Sequence, residues 1–224
     1  MAEQISVIGT VIMMMIVDFK KMAVEFKKFF EFDSLQNFPS LNITENKLSM
    51  ADDFFAFNVI EDEYWNCKDS VQAYYKHSEN CHEIGIKNSV YQKARRGDKS
   101  ALFSIAHEIS HWALINYFKI NLGLKEIEQL DEVSKLIICN IHENMADLLT
   151  LYLLFSEEEL LKANCAKDLD FSSCMSENQF SLAHFYCQNH KVLMENFMKN
   201  FVPEISADNN GAKRMLEHAK KAKK

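Results

Sequence analysis

Residues His107-Glu108-Ile109-Ser110-His111 place two histidines four apart inside an apolar run of helical period. On an α-helix that spacing sets both imidazoles about one turn apart on one face, where they can share a metal ion. Leu102, Ile105, Ala106, Ile109, Ala113 and Leu114 supply the buried face of such a helix, and Asp98 supplies its N-cap. Asp98 to Phe118 is therefore the piece around which the rest of the chain must pack. Zinc accepts neutral imidazole nitrogen readily, and a catalytic zinc has three protein ligands with its fourth position left to water. That water has its pKa lowered to about 7, and Glu108, beside the first histidine, can take its proton. The five residues thus offer two candidate ligands and a candidate base.

A third ligand is offered by Glu143, in Glu143-Asn144-Met145-Ala146-Asp147 on a second long apolar helical run. Ile137, Ile138, Leu148, Leu149, Leu151 and Leu153 surround the two carboxylates, and acids among so many apolar residues need partners. Asp147 lies one turn beyond Glu143 on the same helix face. There it can accept a hydrogen bond from the other ring nitrogen of a ligand histidine and fix its tautomer. The expectation is one Zn(2+) per chain on His107, His111 and Glu143, with Glu108 as base and Asp147 behind a ligand.

Five Gly and two Pro against seventeen Phe and eleven Met predict long helices with few tight turns. A first helix runs from about Ile8 to Phe32, and a polar connection with Pro39 and Asn42 follows it. The period then changes to two. Phe55 to Ile60, Val71 to His77 and Glu83 to Lys87 read as three short strands of a small antiparallel sheet. Helix returns after Ser89, pauses at Gly97-Asp98, and carries the histidine pair until Asn121-Leu122-Gly123. From about Lys125 it continues to Phe155 with Glu143 on it. Ser156 with Glu159, and Ser176 with Gln179, are capping boxes that open a short helix and then a long one to about Phe201. Helices around a short sheet, without strand-helix alternation, predict an α+β fold, mostly helical, with the sheet preceding a zincin-like active-site helix.

Val7 to Val17 is apolar, but eleven residues cannot span a bilayer, which takes about twenty. No basic region precedes it, so it reads as part of a packed helix and the protein is expected in the cytoplasm, away from membranes. The formal charge is -7, yet six Lys or Arg and one Glu lie from Gly211 onward. An acidic body argues against direct nucleic-acid binding, and the basic tail is expected to stay solvated. Six cysteines without a C-x-x-C pair are expected as reduced thiols. Cys67, His77, Cys81 and His82, or His184, Cys187 and His190, are conceivable second metal groupings, but their spacings match no zinc module.

Beyond the metal ligands, Val90-Tyr91, Ala94, Gly97-Asp98 and Phe103-Ser104-Ile105-Ala106-His107-Glu108-Ile109 resemble the approach to the active-site helix in the ImmA/IrrE family of zinc metallopeptidases. The short strands before them and Glu143-x-x-Ala146-Asp147 after them follow that family's order, over about two thirds of the chain. Ser110 stands where the family usually has Gly, Ser100 and Leu102 replace basic residues, and Leu148 to Phe155 lacks the family's proline-containing ending. The resemblance implies a metallopeptidase domain over residues 1–155. Beyond it come a helical extension packed on it at 156–210 and a basic tail at 211–224.

The same resemblance implies His107, His111 and Glu143 as ligands and Glu108 as catalytic base. It also implies a cytoplasmic regulator whose protein substrate is a DNA-binding helix-turn-helix repressor of a mobile element or stress response. The alternative from a different class is a zinc-stabilised module that binds a repressor or toxin without cutting it. Tyr91, Tyr117 and His142 are open candidates for a group that steadies the oxyanion.

Overall fold

The computed structural model describes residues 17–32, 40–52, 54–68, 70–78, 81–120, 131–169 and 176–200. Seven α-helices occur among the described residues: α1 Phe19–Phe30, α2 Leu41–Ala51, α3 Asn88–Arg95, α4 Lys99–Trp112, α5 Glu132–Leu154, α6 Glu157–Lys162 and α7 Glu177–Asn200. Three strands, β1 Phe55–Ile60, β2 Ala73–Ser78 and β3 Cys81–Lys87, form one sheet. The α+β character follows. The start of the expected first helix, the Asn121-Leu122-Gly123 stop, Cys174 and everything from Phe201, including the basic tail, lie outside the described residues.

The sheet is mixed, not antiparallel. Its order is β1-β3-β2, with β1 parallel to β3 and β2 antiparallel to β3. Alternation shows which residues share a face but not which strand becomes the neighbour. After β1 comes a 3-10 turn at Asp62–Tyr64, β2 takes the far edge of the sheet, and β3 then returns into the gap between them. As the central strand it buries Ile84, Gly85 and Ile86. Gly85 leaves room for its neighbour, because a Cβ there would displace the ring of Tyr74, whose hydroxyl donates to Glu83 Oε1 at 2.9 Å.

The polar connection after Phe32 is partly a helix. In α2 only Leu41, Thr44 and Leu48 are buried, too sparse a stripe among Asn42, Glu45, Asn46 and Lys47 to stand out in sequence. Its start is defined by Ser40, whose Oγ accepts from the Ile43 N–H at 3.4 Å.

One core joins the elements. Phe19, Met22, Ala23, Phe26 and Phe30 make the inner stripe of α1, which packs on α5. Phe26 meets Trp112 at 6.3 Å between ring centroids, and Trp112 meets Phe55 at 6.1 Å, so α1, the end of α4 and β1 share an aromatic cluster. Burial of each such side chain stabilises the fold by about 1.5–3 kcal/mol. From α7, Phe180, Ala183, Tyr186 and Cys187 enter the same core. The Tyr186 hydroxyl accepts from the Phe19 N–H at 3.0 Å and donates to the Val17 carbonyl at 2.8 Å, which satisfies the N-terminus of α1 from 167 residues away.

Candidate metal centre

Gly97, with φ of +83°, turns the chain between α3 and α4, and Asp98 Oδ1 accepts from the Ala101 N–H at 2.9 Å to start α4. One turn apart on α4, His107 and His111 bring their Nε2 atoms to 3.0 Å. Helix α5 crosses this face closely because Ala106, Ser110 and Ala146, all buried, leave room for its backbone. Glu143 reaches over from α5, its Oε2 3.2 Å from His107 Nε2 and 3.5 Å from His111 Nε2. Among the described residues this is the single group of His, Cys, Asp or Glu gathered tightly enough to hold a metal ion.

The donor set fits zinc. Four ligand atoms at about 2.0–2.1 Å from a tetrahedral ion stand about 3.3–3.4 Å from one another. The separations of 3.0, 3.2 and 3.5 Å scatter around that value. Both rings are also held from behind. Asp147 Oδ1 lies 3.0 Å from His107 Nδ1, as its helical position predicts, and Asp147 Oδ2 accepts from Gln179 Nε2 at 2.7 Å. His111 Nδ1 lies 2.9 Å from His142 Nδ1.

Burial and hydrogen bonding shift four titratable groups of the cluster. Burial opposes a charge on His107, but hydrogen bonds to Asp147 and Glu143 outweigh it and raise its pKa to about 10. Burial likewise works against the Glu143 carboxylate, yet His107 and His111 hold it well below the usual range. Burial, reinforced by His111, pushes His142 down to about 3, so this ring stays neutral. Glu108 is raised by burial, against the attraction of His107 and His111 and a hydrogen bond from the Tyr75 backbone. A carboxyl group so raised is suited to accept and then return a proton.

Glu108, Glu143, His107 and Asp147 open on a cleft of about 370 Å³, walled by Ser70 to Ala73 at the start of β2, by Ser100, Phe103 and Ser104 of α4, and by Gln179 of α7. Ser104 Oγ donates to Gln72 Oε1 at 3.0 Å and ties the two walls together.

The candidates for oxyanion stabilisation do not meet here. The Tyr91 hydroxyl donates to Asn42 at 3.4 Å, and Tyr117 packs its ring on Phe26 at 5.5 Å. His142 is present but lies behind His111. Nor do the other two groupings assemble. His77 and His82 are cross-strand partners with Nδ1 atoms 3.0 Å apart, whereas Cys67 contacts Asn66. Cys187 pairs with the Tyr152 hydroxyl and His184 with the Leu160 carbonyl, while His190 lies over Tyr186.

Sequence periodicity missed three features of the surroundings. The helical run expected to continue past Trp112 does so as a π-helical turn, Ala113–Tyr117, marked by the Phe118 N–H to Ala113 carbonyl bond of 2.8 Å. That turn presents Asn116, whose Nδ2 donates to the Tyr75 hydroxyl at 2.9 Å and lies 3.1 Å from His82 Nδ1. The Tyr75 ring in turn lies parallel to His111, at 6.3 Å and 7°. The other two are Gln179 and the contact between His142 and His111, which depend on which helices pack together.

Compared with protein-family models, with curated proteins and with solved structures, the chain gives no significant match.

Proposed function

We propose that the chain is a zinc-dependent metallopeptidase with a zincin-like site, cutting a peptide bond in a regulatory protein. The observation that carries this reading is the convergence of His107 Nε2, His111 Nε2 and Glu143 Oε2 beside the half-buried Glu108 on the wall of an open cleft. A zinc ion held by those three residues supplies a positive charge that acidifies water and polarises a peptide carbonyl.

This chain's own groups do the rest. The Glu108 carboxylate takes one proton from water as the oxygen bonds to the carbonyl carbon. It returns that proton to the peptide nitrogen as the C–N bond breaks, leaving a carboxylic acid and an amine, and the acid's remaining proton then passes to the amine. Asp147 and His142 keep the ligand rings oriented, and the Ser70 to Ala73 wall, where edge strand β2 begins, offers an extended peptide a backbone to lie against.

The choice of substrate comes from the resemblance to the ImmA/IrrE family, which points to a helix-turn-helix repressor and a cytoplasmic setting. Among the described residues no helix is long and apolar enough to cross a membrane. The test compares host cells that express wild type or Glu108→Gln at matched levels, surveying new protein N-termini by mass spectrometry alongside zinc content. New termini with wild type alone support the peptidase and name its substrate. Identical termini, with one zinc bound to each protein, would overturn it in favour of a binding module.

A further inference from the structure

We infer that His142 is a positioning residue that accepts the Nδ1 proton of His111, and so holds the His111 Nε2 lone pair toward the metal. This rests on the metal-centre reading above. The ring nitrogens of an imidazole ligand are not interchangeable: the one facing the metal must be bare, so the other carries the proton and needs an acceptor to keep the ring from turning. For His107 that acceptor is the Asp147 carboxylate. For His111 no carboxylate is in place among the described residues, and the neighbouring acceptor is the Nδ1 atom of His142 at 2.9 Å.

Three observations make the contact more than core packing. His142 is buried, 5% exposed, with its ring within 11° of parallel to His111 at a centroid distance of 4.9 Å, so the partner ring is held in a defined plane. Its Nε2 is buried and has no hydrogen-bond partner among the described residues, so His111 holds its one polar contact. With His111 donating, His142 must keep its own proton on Nε2, the tautomer that leaves its Nδ1 free to accept. Finally, His142 directly precedes the ligand Glu143 on α5. One turn of α5 therefore takes His111 from both ends, Glu143 Oε2 facing Nε2 at 3.5 Å and His142 facing Nδ1.

The centre is thereby asymmetric. His107 is backed by an anion and His111 by a neutral ring, so the two ligands transmit different amounts of negative charge to the ion. With Glu143 and Asp147 already in place, a neutral acceptor limits how far the ion's charge is offset.

The experiment measures zinc affinity, by competition with a chromophoric chelator, for wild type, His142→Phe and His142→Asn. Phenylalanine keeps a flat ring but accepts nothing. Asparagine places its Oδ1 close to where histidine has Nδ1, and so restores an acceptor. The expected result is affinity weakened about 10–100-fold in His142→Phe and within about threefold of wild type in His142→Asn. Nitrogen-15 spectra of zinc-loaded wild type are expected to show the His111 proton on Nδ1. Wild-type affinity in His142→Phe, or an equal loss in both variants, overturns the positioning role while the metal centre stands. A wild-type protein that takes up no stoichiometric zinc overturns both. Should the phenylalanine variant fail to fold, the asparagine variant and the wild-type tautomer still decide.

Discussion

Thr150 Oγ1 lies 2.9 Å from Ser110 Oγ in the buried seam between α4 and α5, the two helices that carry the proposed metal ligands. Each hydroxyl also faces a carbonyl of its own helix, Ser110 that of Ala106 at 2.9 Å and Thr150 that of Ala146 at 2.7 Å. The polarity of Ser110 is thus met inside the seam. Ser110→Ala is expected to lower stability by about 1 kcal/mol, one buried hydrogen bond. With Thr150→Val it is expected to show a coupling energy of about 0.5–1.5 kcal/mol in a double-mutant cycle read by urea unfolding. Strict additivity would show that the two hydroxyls do not interact.

Gln179 joins the last helix to the site. Its Oε1 accepts from the Ser176 N–H at 2.7 Å in the N-terminal cap of α7, and its Nε2 donates to Asp147. Asp147→Ala is expected to weaken zinc binding about 10–100-fold. Gln179→Ala, one bond further from the metal, should weaken it less than tenfold. Chelator competition checks the ranking, and a larger loss in Gln179→Ala would reverse the assigned order of contacts.

Histidine titration sets a pH window. An ordinary histidine titrates near 6.5, whereas in the metal-free fold His107 is raised to about 10 and His142 lowered to about 3. Above about pH 6.5 the unfolded chain has lost the proton that folded His107 keeps, so this contribution to stability fades as pH climbs toward 10. Below about 6.5 the unfolded chain binds a proton that folded His142 refuses, so stability also falls as pH drops toward 3. These two groups therefore place the highest urea midpoint of metal-free protein near pH 6.5.

On the proposed reading, zinc displaces the His107 proton. At pH 8 its uptake is expected to release about one proton from this ring, and affinity is expected to rise about tenfold per pH unit between about 7 and 10. Titration calorimetry in two buffers of different ionisation heat checks the release, and its absence would argue against His107 as a ligand.

Tyr186 ties α7 to the start of α1 through the Phe19 N–H and the Val17 carbonyl. Tyr186→Phe keeps the ring but leaves a buried backbone N–H without its acceptor, at an expected cost of about 1–3 kcal/mol in urea unfolding. A change within a few tenths of a kcal/mol would mean that water replaces the hydroxyl there.

The site was legible wherever one helix does the arranging. His107 and His111 share a face, and Asp147 falls one turn from Glu143, because the helical repeat is a property of the backbone that any sequence inherits. The cap at Asp98 and the boxes opened by Ser156 and Ser176 are equally local. What depended on distant neighbours was not legible. Alternating residues in β1 and β3 carry no mark of parallel pairing, and the sparse stripe of α2 becomes a helix face once Leu41, Thr44 and Leu48 have a core to enter. The π turn that presents Asn116, the position of His142 behind His111, and the approach of Gln179 from α7 all arise where separate elements pack. Backbone periodicity fixes which side chains travel together, and packing selects which of them meet.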